Sequence, residues 1–242
     1  MSKISVIIPT LNEEKLLGGL LEQFAQKQLR EKFDYEIVIS DGGSRDATLQ
    51  IAEKFADKIV LWEKERRQLI AEGRNLGARA AKGDVFLFLN ADVRAGNVEK
   101  LFGKILDFCS SNCIAMTCPV KVFPEEEIAA DRFFTGFYNS YFGFLNLIGL
   151  GMGRGECQVV RRKDFFELGG YNETLAAGED FDLFKRLRKK GKILYAKDCF
   201  VYESPRRYRK YGHWKIFFTW LANALSVIFA NKSASKEWEE VR

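Results

Sequence analysis

The alternation of short apolar runs with helical segments constrains the fold of this chain most. Residues 4–8, 35–40, 58–61 and 85–89 are apolar or β-branched runs that predict strands. Helices are predicted between and after them, at residues 13–26, 46–55, 68–81 and 98–108. Strands separated by helices of this length favour βαβ units with right-handed crossovers. We therefore predict an α/β fold with a mostly parallel, Rossmann-like central sheet flanked by helices.

The second half of the chain is less regular. Residues 114–123, 156–160 and 200–202 have the composition of strands, and residues 180–190 form a strongly amphipathic helical pattern. An apolar helix is predicted at residues 216–230, near the C-terminus. These patterns predict one domain with a C-terminal appendage.

Charge and composition exclude several classes of protein. The net charge is +5, and residues 205–236 contain no acid, which favours phosphate or an anionic surface as a partner of this segment. The basic cluster is short, so we expect no nucleic acid partner. Since His213 is the one histidine, a Ser-His-Asp triad or a histidine-based metal site is not expected. Five cysteines without C-x-x-C spacing indicate free thiols in a reducing compartment.

Two stretches lack charged side chains, residues 133–153 and 216–230. The first contains five glycines and several polar side chains, and the second is too short to cross a bilayer. We interpret both as membrane-surface elements, while a helix packed on the domain or a homodimer interface is the alternative for the second. The start of the chain contains no pattern of a secretory signal. The expected location is therefore cytoplasmic, with peripheral contact at the cytoplasmic face of a membrane.

Polar side chains follow the predicted strands at residues 10–13, 41–45 and 90–92, where ligands bind in parallel sheets. Asn90 and Asp92 lie one residue apart, so their oxygens can converge on one hard cation, although an Asx turn explains the same pattern. Glu179 and Asp180 open the amphipathic helix, where helix capping is the ordinary explanation for acids. Each pattern alone is ambiguous.

Six motifs taken together resemble the ordered signatures of family 2 glycosyltransferases with the GT-A fold. In chain order they are Val6-Ile7-Ile8-Pro9-Thr10-Leu11-Asn12-Glu13, Ile37-Val38-Ile39-Ser40-Asp41-Gly42-Gly43-Ser44-Arg45-Asp46, Gly73-Arg74-Asn75-Leu76-Gly77, Asn90-Ala91-Asp92, Gly169-Gly170-Tyr171-Asn172-Glu173 and Gly178-Glu179-Asp180. Each lies at a predicted strand end or helix start. The resemblance covers residues 5–190.

This resemblance implies transfer of a sugar, with inversion, from a UDP- or GDP-linked donor to an acceptor hydroxyl or phosphate. Asp180 is the expected catalytic base, with Glu179 as the alternative. The metal ligands expected for Mg²⁺ or Mn²⁺ are Asp92, Asn90 and, as a further candidate, His213. The expected donor-binding residues are Pro9, Thr10, Asn12, Glu13, Asp41, Arg74, Asn90, Ala91, Asp92, Arg206 and Arg207. Asn90 departs from the family pattern, which usually has an acid there, so we expect donor phosphates to complete the cation site.

The same resemblance implies a division of the chain. Residues 1–203 form the catalytic domain, with a nucleotide-sugar half at 1–95 and an acceptor half at 96–203. Residues 204–242 form a basic loop, which closes over the donor, and the apolar helix. The expected acceptor is a glycan, a polyprenyl phosphate or another lipid-linked molecule.

Two other functions remain open from the sequence. A nucleotidyltransferase shares a parallel sheet, but it is expected to have a glycine-rich phosphate loop after the first strand, where this chain has Pro9-Thr10-Leu11-Asn12-Glu13. A catalytically weak binding or scaffold subunit of the GT-A type is favoured by Asn90 alone.

Overall fold

The computed structural model describes residues 3–235 and 241, and these form ten strands and ten helices. The strands are β1 (Ile4–Thr10), β2 (Tyr35–Asp41), β3 (Lys58–Leu61), β4 (Val85–Leu89), β5 (Val93–Ala95), β6 (Cys113–Thr117), β7 (Val120–Val122), β8 (Cys157–Arg161), β9 (Lys192–Tyr195) and β10 (Val201–Glu203). The helices are α1 (Leu17–Phe24), α2 (Lys27–Lys32), α3 (Thr48–Ala52), α4 (Ile70–Ala80), α5 (Val98–Cys109), α6 (Ala129–Leu147), α7 (Arg162–Glu167), α8 (Glu179–Lys190), α9 (Arg206–Tyr211) and α10 (His213–Ala230). Residues 236–240 and 242 of the predicted appendage lie outside the described residues.

Seven strands form the central sheet in the order β3-β2-β1-β4-β8-β6-β9. The pairs β3/β2, β2/β1, β1/β4 and β6/β9 are parallel, whereas β8 is antiparallel to both β4 and β6. A smaller sheet has the order β5-β10-β7. The mostly parallel α/β architecture predicted from the sequence is confirmed.

The alternation of side chains along the strands builds a core on each face of the central sheet. Val6 and Ile8 face the cluster that includes α1 and α5, while Ile7 faces the cluster that includes α4, α7 and α8. Helix α4 approaches β1 closely at Gly77, where an added Cβ would lie 2.5 Å from Cγ2 of Ile7. This contact positions α4, and with it Arg74, against the ends of the central strands.

The structure corrects two sequence predictions. The strand predicted at 114–123 is two strands, β6 in the large sheet and β7 in the small one, because the chain leaves the large sheet at Cys118 and Pro119. The basic loop predicted after residue 203 is largely the short helix α9, followed directly by α10. Gly212 separates these two helices with φ of 75°, a left-handed conformation that favours glycine.

The two C-terminal helices, α9 and α10, pack against α6 and α8. Tyr208 of α9 and Ile216 of α10 form a cluster with Phe134, Tyr138 and other residues of α6. Val227, near the end of α10, packs on Phe181 of α8. Among residues 3–235 and 241, no helix combines the length and apolar character needed to cross a membrane.

Asp131 holds α6, α9 and α10 together from a fully buried position. Its carboxylate accepts hydrogen bonds from Arg209 of α9 and from the backbone N–H of Ile128, and its Oδ1 lies 2.8 Å from Nε2 of His213. Burial alone would raise the pKa of Asp131, but the hydrogen bonds from Arg209, Ile128 and His213 lower it to about 2. This carboxylate therefore stabilises the fold as an anion.

An Asp131→Ala variant should lose about 3 kcal/mol in free energy of unfolding, because it removes the acceptor shared by Arg209, the buried His213 ring and the Ile128 N–H. Urea denaturation at pH 7 measures this loss. Because folding lowers the pKa of Asp131, its stabilising contribution is present above the ordinary pKa near 4 and is lost as the pH falls through about 2. The free energies of unfolding of the two proteins should therefore converge at that pH. Glu125→Ala is the control, since the pair of Glu125 with Arg94 is a surface contact whose loss should leave the free energy of unfolding nearly unchanged. An equal loss in both variants would contradict the assignment.

Candidate active site

Two adjoining cavities lie at the carboxyl ends of β1, β2 and β4. The first is lined by residues of the β1 turn and the segment before α4, and we call it the turn cavity. The second is lined by the start of α8, the segment before β8 and the inner faces of α6 and α10, and we call it the helix cavity. Ile70, Asn90, Asp92 and Arg207 line both. The Asn90 to Asp92 segment therefore lies where the two cavities meet.

The turns after β1 and β2 are bound to each other by side-chain hydrogen bonds. Asp41 is fully buried, and its Oδ1 accepts from Oγ1 of Thr10 at 2.9 Å while its Oδ2 accepts from the N–H groups of Gly43 and Ser44. Asn12 has φ of 53°, and its Oδ1 accepts from the N–H of Arg45. Pro9, Thr10 and Glu13 line the turn cavity, but the structure does not place Asn12 or Asp41 among its lining residues. Asn12 and Asp41 therefore shape the two turns in this conformation, and their contacts with a donor stay predictions.

Asp92 and Glu13 converge on one guanidinium nitrogen. Nη2 of Arg206 donates to Oδ2 of Asp92 and to Oε1 of Glu13, at 2.9 Å in each case. Two carboxylate oxygens that share one positive group offer the hard oxygen ligands that Mg²⁺ or Mn²⁺ prefers. Asn90 is committed elsewhere, because its Oδ1 accepts from Nη2 of Arg74 at 2.9 Å. The residues therefore fit a cation held mainly by Asp92, with Glu13 in place of the predicted Asn90.

Fewer than three metal-binding side chains cluster anywhere in the described part of the chain. A cation here would need further oxygens from the bound donor. The presence of Asn90, where the family usually has an acid, already indicated this. His213, the further predicted metal ligand, lies away from this point. Its ring is stacked between Phe134 and Tyr208, its Nε2 contacts Asp131, and it lines neither cavity.

Arg74 connects the motif before β4 with the start of α8. Its side chain is almost completely buried, and its Nη1 donates to Oε1 of Glu179 at 2.7 Å. Its Nη2 donates to Asn90 and to the carbonyl oxygen of Gly155. Glu179 is thereby the counter-ion of a buried arginine, which makes it a poorer candidate for the base than Asp180.

Asp180 has the environment of a carboxylic acid that exchanges a proton near neutral pH. Its Oδ2 accepts from the N–H of Gly155 at 3.1 Å, and its Oδ1 accepts from the N–H of Phe181 at 2.7 Å. Burial first, and the charge of Glu179 second, raise the pKa of Asp180 to about 7, against the opposing effect of Arg74. A general base is most effective when its pKa lies near the working pH.

The raised pKa predicts that Asp180 costs stability as the pH rises. Folding favours its neutral form, so wild-type stability falls between the ordinary pKa near 4 and about 7. The melting temperature of an Asp180→Asn variant, relative to wild type, should therefore increase from pH 5 to pH 8, by the equivalent of about 2 kcal/mol, or roughly 4–8 °C. Differential scanning fluorimetry measures this difference. Asp182→Asn is the control on the same helix, and a trend of equal size there would contradict the prediction.

A second buried charge cluster, in the helix cavity, was not predicted from the sequence. Nη2 of Arg154 donates to both carboxylate oxygens of Glu203 at 2.8 Å, and its Nε donates to Oε2 of Glu156 at 3.2 Å. Tyr208 donates its O–H to Oε1 of Glu203. Burial raises the pKa of Glu203 to about 7, although Arg154 acts to lower it. Arg154 and Glu203 lie 49 residues apart, so no local motif unites them.

The comparisons with known proteins agree with this geometry. The model of the family described as glycosyl transferase family 2 matches residues 5–168, and that of glycosyltransferase like family 2 matches residues 137–230. Validoxylamine A glucosyltransferase from Streptomyces hygroscopicus subsp. limoneus is 34% identical over 96 residues, which are 38% of this chain and 21% of that protein. An uncharacterized glycosyltransferase from Haemophilus influenzae is 25% identical over 197 residues, 76% of this chain and 61% of that protein. The chain thus covers less than two thirds of both relatives.

Solved structures share the fold at low sequence identity. Mannosyltransferase PcManGT from Pyrobaculum calidifontis, in complex with GDP-Man and Mn²⁺, has a TM-score of 0.72 at 22% identity, covering 95% of this chain and 64% of that one. Staphylococcus aureus TarS 1-349, in complex with UDP-GlcNAc, has a TM-score of 0.58 at 20% identity, covering 82% of this chain and 58% of that one. These likenesses confirm the predicted GT-A type of fold. Since the first family model covers well over half of the chain, this protein belongs to glycosyl transferase family 2.

Proposed function

We propose that the chain is an inverting glycosyltransferase that moves a sugar from a nucleoside diphosphate sugar to an acceptor hydroxyl. The observation that carries the proposal is the meeting of the two cavities at Asn90 and Asp92, with Asp180 lining the helix cavity. A donor in the turn cavity and an acceptor in the helix cavity would meet at this junction. Family membership supports this activity, and it gives no support to the nucleotidyltransferase alternative.

The turn cavity has the side chains expected of a donor site. Pro9, Thr10 and Glu13 lie on one side of it, while Arg206 and Arg207 supply positive charge for phosphate oxygens. We propose either a UDP- or a GDP-linked sugar, since the structures named above contain one of each. Residues 1–95 are then the donor half and residues 96–203 the acceptor half, with α9 contributing arginines to the donor.

We propose Mg²⁺ or Mn²⁺ as the cofactor, held by Asp92 together with Glu13. When bound, such a cation stabilises the negative charge of the departing diphosphate. Arg206 pairs with both carboxylates in this structure. Once a cation occupies these carboxylates, the guanidinium of Arg206 is positioned to contact the phosphate oxygens of the donor.

Asp180 is the proposed base for the acceptor. One oxygen of Asp180 takes the proton of the acceptor hydroxyl. At the same time the acceptor oxygen bonds to the anomeric carbon, and the bond from this carbon to the nucleoside diphosphate breaks, so the diphosphate leaves with the bonding electrons. Glu156, Glu179 and Glu203 also line the helix cavity. The guanidinium groups of Arg74 and Arg154, which also line this cavity, are already paired with carboxylates. This excess of acids supports a hydroxyl-bearing glycan, free or lipid-linked, over a polyprenyl phosphate whose anion would be repelled.

The test is nucleoside diphosphate release from UDP- and GDP-linked sugars with Mn²⁺, measured with and without a panel of glycosides and isoprenyl phosphates. Release above the level of a no-enzyme control, stimulated by glycosides, is the expected result. Stimulation by isoprenyl phosphates alone would overturn the hydroxyl assignment.

A scaffold subunit is the second candidate function, and Asn90 is the observation that favours it. Such a subunit would bind UDP or GDP in isothermal titration calorimetry but release no product from any donor. Binding with turnover favours the transferase, whereas binding without turnover favours the scaffold.

A further inference from the structure

The exposed apolar side chains of this protein are concentrated on one surface. Fourteen large hydrophobic side chains are exposed among the described residues, and all but Leu61 and Phe166 belong to α10 or to the segment 128–150 that contains α6. Scattered single hydrophobic residues are ordinary on protein surfaces, whereas a concentration of this kind marks an interaction surface.

These side chains form two stripes with the same spacing. On α6 and its C-terminal end the exposed residues Phe133, Phe137, Phe144 and Ile148 lie at intervals of four, seven and four residues. On α10 the exposed residues Trp214, Phe218, Leu225 and Phe229 repeat these intervals. Such intervals place side chains on one face of a helix. Each helix therefore buries one face in the protein and presents an apolar face outward.

The two stripes are parts of one continuous surface. Ring centroids of Phe137 on α6 and Phe217 on α10 are 5.5 Å apart, and those of Phe217 and Phe218 are 5.6 Å apart. Phe142 and Trp220, on the inner sides of the same helices, line the helix cavity. The surface thus lies directly behind the proposed acceptor site.

The charged residues beside this surface indicate which kind of partner it binds. Lys215 in the first turn of α10 and Lys232 just beyond its end are both exposed, and residues 204–235 contain no acid. Asp131, the one acid of residues 128–150, is fully buried and paired with Arg209. A second copy related by two-fold symmetry would therefore bring the same cations and no exposed acid of these two segments to the interface. Anionic lipid headgroups complement cations that flank an apolar helix face lying in the plane of a bilayer.

We propose that the outward faces of α6 and α10 form a peripheral binding surface for an anionic lipid bilayer. Phe133, Phe137, Trp214, Phe218 and Phe229 enter the interface between headgroups and acyl chains, and Lys215 and Lys232 contact headgroups. The surface would hold the helix cavity close to molecules embedded in that bilayer. It does not depend on the proposed sugar transfer, because lipid binding is measured without donor or turnover.

The test is flotation of the full chain with phosphatidylcholine vesicles containing phosphatidylglycerol, compared with phosphatidylcholine alone. Wild type should float with the anionic vesicles, and the binding should weaken in high salt. Phe218→Ser combined with Phe229→Ser should reduce the partition coefficient roughly 10- to 100-fold, because two exposed rings are lost.

The matched control is Leu61→Ser combined with Phe166→Ser, which removes the two exposed hydrophobic side chains outside the surface. This control should bind vesicles as wild type does, and circular dichroism shows that both double variants are folded. Absence of flotation in the wild type, or equal loss in both double variants, would overturn the proposal. So would a stable dimer in ultracentrifugation that only the Phe218 and Phe229 variant dissociates, since the surface would then belong to a second copy.

Discussion

An Asp180→Asn variant is expected to lose about 10²- to 10⁴-fold in kcat, the usual contribution of a general base, while its Kd for UDP or GDP stays close to that of wild type. Asp180 lines the helix cavity and not the turn cavity, so the donor site should be unaffected. Asparagine preserves the size of the side chain and one hydrogen bond acceptor, but it cannot take a proton. Single-turnover kinetics with calorimetric donor titration measure both quantities.

The pH dependence of the wild-type rate provides a second measurement of the same role. Because the base acts when deprotonated, kcat should rise with pH through about 7, the raised pKa of Asp180, and the residual activity of Asp180→Asn should lack this rise. Asp182→Asn on the same helix is the control, because Asp182 pairs with Arg186 and lines neither cavity. A loss below about tenfold in Asp180→Asn would contradict base catalysis and favour an acceptor that is already ionised.

Local patterns were sufficient to predict much of the central sheet. β1, β2 and β4 are buried runs flanked by turn residues, and their hydrophobic sequences admit few other structures. The division between β6 and β7 was not predictable in the same way. Both segments are β-prone, and the exchange of sheets at Pro119 depends on β10, whose Val201 donates its N–H to the carbonyl oxygen of Pro119. Such a pairing joins residues some 80 positions apart, so no local sequence pattern predicts it.

The candidate site was likewise predictable only where local sequence determines it. Asn90, Asp92 and the β1 turn were expected to lie together because the ends of parallel strands share one edge of the sheet. The partners of these residues come from distant segments. Arg206 reaches Glu13 across 193 residues, and Arg74 reaches Glu179 across 105. The polar side chains at this edge are evident in the sequence, but the ion pairs of Asp92, Glu13 and Glu179 follow from tertiary packing alone.

The Asp92→Asn variant is expected to separate two contributions to donor binding, that of the Arg206 guanidinium and that of the metal ion. In wild type without metal, the guanidinium of Arg206 pairs with both Asp92 and Glu13. These two carboxylates compete with incoming phosphates for it. Removing the Asp92 charge weakens this pair, so UDP or GDP should bind the metal-free variant at least as tightly as it binds metal-free wild type.

Addition of Mn²⁺ should reverse that order. In wild type a cation bound by Asp92 and the diphosphate should tighten nucleotide binding, and loss of one charged ligand should remove roughly 10- to 100-fold of this gain. Isothermal titration of UDP and GDP, each with and without Mn²⁺, gives the four Kd values for each protein. Asp84→Asn is the matched control, because Asp84 is an exposed acid at the opposite end of the same strand. If Mn²⁺ tightened nucleotide binding equally in Asp92→Asn and in wild type, Asp92 would not be the metal ligand, and Glu13 would be the next carboxylate to test, since it shares the guanidinium of Arg206.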